Sequence, residues 1–194
     1  MKYVCVFCGS SMGVQPAYQQ AALALGEALA RRKLGLVYGG GNVGLMGTIA
    51  DATLAAGAEV IGVIPDFMVA KEIAHTGLTQ LHIVNSMHER KTMMAQLSDA
   101  FVALPGGYGT LEEFCEVLTW AQLGLHQKPF GLLNINGYYS PLLKFFDQAV
   151  TEEFLRPMNR SLVLEAAEPE NLLDLLANYQ PQYVDKWIRK EVTP

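Results

Sequence analysis

Short apolar runs alternate with segments of helical periodicity along this chain, and that alternation limits the fold more than any other feature. The runs at 3–8, 34–38, 59–64 and 99–104 show little polar alternation, which is the pattern of strands covered on both faces. Shorter runs at 81–84, 130–133 and 162–164 extend the series. Between them, 16–32, 45–56, 86–97, 111–125, 141–151 and 169–177 read as helices; Ala21, Leu25, Ala28 and Leu29 share one face of the first. Strands alternating with helices predict an α/β fold, a parallel sheet with helical layers on both sides. No linker interrupts 1–180, which reads as one domain. The segment 66–77 is mixed and fits a short helix or a flap. Residues 181–194 form a tail, with Pro181 and Pro194 around Tyr183, Val184, Trp187 and Ile188, expected to pack on the body or on a second subunit.

Composition narrows the function classes. A chain of 194 residues with 51% hydrophobic and 17% charged residues is globular, and its net charge of −5 argues against a nucleic-acid polymer or a membrane surface as partner. The uncharged stretch 34–50 carries six glycines, the mark of a loop and not of a membrane span. Only six residues separate Lys2 from Gly9, too few for a signal-peptide core, so a cytoplasmic location with reduced thiols is expected. Cys5 and Cys8 match C-x-x-C, but at strand spacing residues three apart point to opposite faces, so both read as core thiols. His75, His82, His88 and His126 show no metal-ligand spacing, and no metal site is expected.

Two glycine loops stand between a strand and a helix. Gly39-x-Gly41-x-x-Gly44 fits the dinucleotide fingerprint, which predicts an NAD enzyme if the loop carries a cofactor. It follows the second strand instead of the first, and the next acid, Asp66, lies 22 residues beyond Gly44 and after a proline. The alternative is that these glycines serve a tight turn and close packing. The second loop is Pro105-Gly106-Gly107-Tyr108-Gly109-Thr110-Leu111-Glu112-Glu113, where backbone amides at a helix start suit a phosphate. Glu112 and Glu113 are unexpected there. Thr110 with Glu113 fits a capping box, and Glu112 suits a helix N-terminus, so a purely structural role for both acids stands beside a chemical one.

The helix beginning at Ser86, itself a capping-box start with Glu89, bears on that choice. Met87, Met94 and Leu97 define an apolar stripe on which Arg90 also lies. An arginine there either snorkels at the helix edge or faces a polar cavity with a partner. Lys91 is a second cation beside it. Amides and cations suit a phosphate, whereas carboxylates suit ribose hydroxyls and a sugar that becomes cationic as a glycosidic bond breaks. Together they describe a nucleoside 5′-monophosphate losing its base. A non-catalytic nucleotide or cofactor carrier on the same fold is the competing reading.

Across nearly its whole length the chain resembles the LOG ("Lonely guy") family of cytokinin riboside 5′-monophosphate phosphoribohydrolases, many labelled "possible lysine decarboxylase". The likeness is carried by Val4 to Ser11, by Leu36-Val37-Tyr38-Gly39-Gly40-Gly41 with Val43-Gly44-Leu45-Met46-Gly47, by Met87-His88-Glu89-Arg90-Lys91, and by the P-G-G-x-G-T-x-x-E signature at 105–113. The resemblance implies a Rossmann-like, doubly wound three-layer fold and a homodimer or larger homo-oligomer. It implies hydrolysis of an N6-substituted adenosine monophosphate, or of AMP, to free base and ribose 5-phosphate without metal or cofactor. The family's essential arginine and glutamate fall on Arg90 and Glu113. Its binding positions fall on Glu72, Lys91, Gly106, Gly107, Tyr108, Gly109, Thr110, Leu111, Glu112 and Thr119. The decarboxylase label has no matching chemistry, since no lysine sits in a setting like a pyridoxal-phosphate site.

Overall fold

Apolar runs without polar alternation become the strands of one seven-stranded sheet in a computed structural model that describes residues 1–69 and 74–181. The strands are β1 (Tyr3–Phe7), β2 (Gly35–Tyr38), β3 (Val60–Pro65), β4 (Gln80–Val84), β5 (Ala100–Ala103), β6 (Phe130–Leu133) and β7 (Val163–Ala166). Every neighbouring pair is parallel, in the spatial order β4-β3-β2-β1-β5-β6-β7. The helices are α1 (Pro16–Arg31), α2 (Gly44–Ala55), α3 (Asp66–Val69), α4 (Met87–Leu97), α5 (Tyr108–Gln122), α6 (Ser140–Thr151), α7 (Pro157–Arg160) and α8 (Pro169–Ala177). The Rossmann-like, doubly wound expectation is met. The short α7 and a 3₁₀ turn at Ile135–Gly137 were not foreseen, because neither is long enough to show a period. The tail from residue 182 lies outside the described residues.

Two cores sit on the two faces of the sheet. One joins Val4, Val6 and Cys8 to α1, α2 and α8 through Leu25, Leu29, Ile49, Leu172 and Leu176. The other joins Cys5, Phe7 and Phe101 to α4, α5 and α6 through Met94, Phe114, Val117 and Leu143. Cys5 and Cys8 therefore lie on opposite faces, as strand periodicity requires, and all three cysteines are free thiols. At its outer edge the first core is tied by Arg31 at the end of α1 and Arg32 just past it, both paired with Glu170 of α8.

The strand order fixes where a ligand site belongs. From β1 the chain steps outward through β2, β3 and β4, then returns across the sheet by α4 to place β5 on the other side of β1. Loops leaving β1 and β5 therefore diverge, and the crevice they open lies at the carboxyl ends of these two strands. Both glycine-rich loops run to that end of the sheet.

Candidate active site

Gly9 and Ser10 follow β1, and Leu104 to Gly107 follow β5. The two segments are tied where they pass: the Gly9 amide donates to the Pro105 carbonyl at 3.1 Å, and the Leu104 amide to the Phe7 carbonyl at 2.9 Å. Gly106 permits the approach, since a Cβ there would stand 2.1 Å from Thr110 Oγ1 and 2.9 Å from the Gly9 nitrogen. The helix then starts earlier than its composition predicts. Gly107 is the N-cap, with extended backbone, and Tyr108, Gly109 and Thr110 form the first turn. Their amides have no carbonyl of the same helix to meet and open toward the crevice.

This register decides the role of the acids. Thr110 is the third helical residue and not the N-cap, so the capping box expected between Thr110 and Glu113 is not the frame of this helix. Glu113 instead lies four residues after Gly109 and three after Thr110, on the same helix face. Glu112 is rotated away and shares a face with Glu116. There it meets Lys91, whose Nζ lies 2.5 Å from Glu112 Oε1 and 2.8 Å from Glu116 Oε2. Burial alone would lower the Lys91 pKa, but the hydrogen bonds it donates to these two carboxylates hold it above the usual lysine value.

Arg90 comes from the facing helix. Ser86 caps α4, its Oγ accepting from the Glu89 amide at 3.1 Å, while Glu89 Oε2 accepts from the Asn85 amide at 2.9 Å. One turn in, Arg90 is only 5% exposed. Its Nε donates to the Val63 carbonyl at 3.1 Å and its Nη2 to the Gly39 carbonyl at 3.0 Å. Nη1 lies 3.8 Å from Glu113 Oε1, and that carboxylate is itself 14% exposed. The snorkelling alternative is thus removed: the guanidinium is buried, pinned by two backbone carbonyls, and set beside the acid.

These elements line an open cavity of about 230 Å³. Arg90 and Glu113 line it with Gly107, Tyr108, Gly109 and Thr110, and Cys8, Gly9, Ser10 and Met46 complete the wall. Of the expected residues, Gly106 borders a neighbouring cavity of about 330 Å³ that shares Gly9, Ser10 and Gly107 with the first. Leu111 packs against the core on the α5 side, and Lys91 and Glu112 are engaged with each other. Thr119 is exposed and donates from Oγ1 to the Cys115 carbonyl at 2.7 Å. Glu72 lies outside the described residues. Cys8, Ser10 and Met46 were not anticipated as site residues; the signal that points to Ser10 is its place just past a buried strand at the switch point. Burial, with the Glu113 carboxylate adding to it, raises the Cys8 pKa and keeps its thiol neutral. Among the described residues, no three His, Cys, Asp or Glu side chains converge as a metal-ligand group.

The first glycine loop serves this cavity from the other side. A Cβ on Gly39 would lie 2.0 Å from Arg90 Nη2, and one on Gly44 would lie 2.3 Å from the Ser10 carbonyl carbon. Gly40 and Gly44 hold φ of +78° and +58°. Arginine seating, close packing and turning account for these glycines, and the loop follows β2, away from the β1/β5 switch point where a dinucleotide would bind.

Comparison with known proteins adds an independent line. The family model described as "Possible lysine decarboxylase" matches residues 46–176. A cytokinin riboside 5′-monophosphate phosphoribohydrolase of Arabidopsis thaliana is 51% identical over 182 residues, covering 94% of this chain and 84% of the relative. A probable cytokinin riboside 5′-monophosphate phosphoribohydrolase of Oryza sativa subsp. japonica is 53% identical over 180 residues, covering 93% and 74%. Among solved structures, the Moco carrier protein of Chlamydomonas reinhardtii superposes with a TM-score of 0.68 at 21% identity, covering 91% of this chain and 95% of that one. At that identity the likeness is one of fold.

Proposed function

The chain belongs to the LOG family, the group also described as possible lysine decarboxylases, and from that premise we propose that it is a phosphoribohydrolase. It cleaves the N-glycosidic bond of adenosine 5′-monophosphates, including N6-substituted ones, and releases free base and ribose 5-phosphate. The observation that carries this reading is that one cavity holds the first turn of α5, Glu113 one turn further along the same face, and Arg90 from the facing helix.

The residues divide the work. The amides of Tyr108, Gly109 and Thr110 receive the 5′-phosphate, favoured by the positive end of α5. The C1′–N9 bond breaks with its electron pair leaving on the base, so positive charge grows on the sugar. Glu113 faces that charge and also accepts a hydrogen bond from the incoming water, which adds to C1′ and gives up a proton as the base gains one. Arg90, fixed by the Val63 and Gly39 carbonyls, sets its guanidinium beside Glu113 and keeps that acid in place. Lys91 orders the outer face of α5 through Glu112 and Glu116, and its engagement there does not favour a Schiff-base reaction. A carrier that only bound phosphate gains nothing from a carboxylate aimed into its site, so Glu113 favours the enzyme.

Partly buried Met93, Leu97, Leu111, Leu118 and Trp120 remain on the α4–α5 side, which supports a homodimer formed through that face. No helix among the described residues is long and apolar enough to cross a membrane, and a cytoplasmic location fits three free thiols. The test is chromatography of products from a panel of nucleoside mono-, di- and triphosphates. Adenine and ribose 5-phosphate are expected from AMP, with adenosine a much poorer substrate; intact AMP and intact isopentenyladenosine monophosphate after prolonged incubation overturn the proposal.

A further inference from the structure

The peptide groups that enter the anion loop are each held from behind. The carbonyls of Leu104, Pro105 and Gly106 are consecutive, and each accepts one hydrogen bond. Tyr139 donates its hydroxyl to Leu104 at 2.6 Å, the Gly9 amide reaches Pro105 at 3.1 Å, and Tyr138 donates its hydroxyl to Gly106 at 2.7 Å. In a trans peptide the C=O and the following N–H point in opposite directions. Holding the Gly106 carbonyl toward Tyr138 therefore turns the Gly107 amide the other way. Tyr138 borders the neighbouring cavity and not the catalytic one, whereas Gly107 borders both, so the other way is the catalytic side.

The two tyrosines are themselves braced. Asn136 and Gly137, with φ of +52° and +74°, reverse the chain just before them. The Asn134 side chain accepts from the Tyr139 amide at 2.7 Å and donates to Glu165 at 3.0 Å. The Tyr138 ring stands edge-on to Tyr18 and to Tyr139, with centroids 5.6 and 5.0 Å away. Tyr139 is fully buried, and burial keeps its hydroxyl protonated and able to donate. Adjacent residues on a β-strand would point to opposite sides; here a turn sends both hydroxyls to one loop.

We infer that Tyr138 and Tyr139 are positioning residues for the anion loop: their hydroxyls draw two carbonyls away from the crevice and so set its affinity for the 5′-phosphate of the substrate. A Gly106 carbonyl oxygen rotated toward the crevice would repel a phosphate and turn the Gly107 amide away in the same movement; at Leu104, which precedes Pro105 and its missing N–H, the effect is the repulsion alone. The inference rests on the phosphoribohydrolase reading for the identity of the anion, and on geometry for everything else.

The test compares Tyr138→Phe and Tyr139→Phe with the unaltered protein, using inorganic phosphate and AMP as probes. The exposed position of Tyr138 makes Tyr138→Phe the safer variant for folding. Phosphate affinity, read by titration calorimetry, is expected to weaken about tenfold in Tyr138→Phe, the size of one lost hydrogen bond to an oriented loop, and by less in Tyr139→Phe, whose carbonyl partner precedes a proline. With AMP the loss is expected in KM, with kcat within about twofold, a split that a general loss of folded protein does not produce. A phosphate affinity and an AMP KM unchanged in Tyr138→Phe overturn the inference. If the unaltered protein leaves AMP intact, the phosphoribohydrolase reading falls, and the phosphate titration alone decides the role of the tyrosines.

Discussion

The two glycine-rich loops follow buried strands and precede helices, yet they put opposite ends of the peptide group to use, one seating the arginine of the cavity and the other lining the cavity itself. The loop at 39–44 offers a carbonyl, that of Gly39, and holds a cation with it. The loop at 105–110 offers amides and suits an anion. Their glycines differ in the same sense. An added Cβ on Gly39 would collide with Arg90, whereas one on Gly107 or Gly109 meets no protein atom within 4 Å. Gly39 in the first loop makes room for the protein's own arginine; in the second, Gly106 serves close packing while Gly107 and Gly109 keep the backbone open to something from outside. A strand–glycine–helix signature therefore leaves the sign of the ligand undetermined until the partner of each peptide is known.

The sharpest way to break this division of labour is at the acid between the loops. Glu113→Gln keeps the size of the side chain and removes its charge, so kcat for AMP is expected to fall by about 10²- to 10⁴-fold. The thermal midpoint should stay within a few degrees. A variant with unchanged turnover would return Glu113 to a structural role. Arg90→Lys comes next. An ammonium cannot reach both the Val63 and Gly39 carbonyls with the geometry of a guanidinium fork, so a loss of about 100-fold in kcat/KM is expected, with stability lowered by about 1–3 kcal/mol in urea titrations.

A pair of glycine substitutions tests the contrast directly. Gly39→Ala should displace Arg90 and cost about tenfold or more in kcat, together with stability. Gly109→Ala should leave the fold intact and even stabilise α5 by up to about 1 kcal/mol, since alanine is the better helix former, while KM for AMP rises. Equal effects of the two on thermal midpoint would erase the distinction between the loops. The smallest effect concerns the far end of α5. His126 accepts from the Lys128 amide at Nδ1, stacks on Phe130, and has its pKa lowered by burial. Its neutral form is the one that folding favours. Its contribution is therefore present above the unfolded-state pKa of about 6.5 and is lost as pH falls toward the lowered folded value. A urea midpoint that drops between pH 7 and 5.5 in the parent, and drops less in His126→Gln, is the expected result.

The sheet was legible because strands such as Val60–Pro65 are apolar throughout, a pattern that only a twice-covered sheet satisfies. The position of Arg90 on an apolar stripe correctly signalled a buried cation with partners. What those partners are was not legible, because a carbonyl of Gly39 or Val63 carries no side-chain identity for a sequence to display. The start of α5 was misplaced for a related reason: two glycines in and beside its first turn argue against helix locally, and the tertiary tie of Pro105 to Gly9 overrides them. Lys91 looked like a second phosphate cation, but one residue of helix rotation, about 100°, carries it to Glu112 and Glu116. The Tyr138–Tyr139 brace depends on a turn too short to show any period.

The anchoring of Arg90 by main-chain oxygens has a consequence for sequence divergence. A guanidinium held by carboxylates or hydroxyls drifts whenever those side chains are exchanged, and its position must then be re-established by paired changes. At Val63 the fully buried side chain answers to core packing alone, while the oxygen stays where the sheet puts it. Gly39 is the exception, fixed because any side chain displaces the arginine. Relatives that keep this sheet and this glycine inherit the orientation of the arginine without having to conserve the residues around it. A saturation library at Val63 should accordingly return apolar residues of similar size, Ile first, with turnover kept where the core still packs, while the same library at Gly39 returns only the parent.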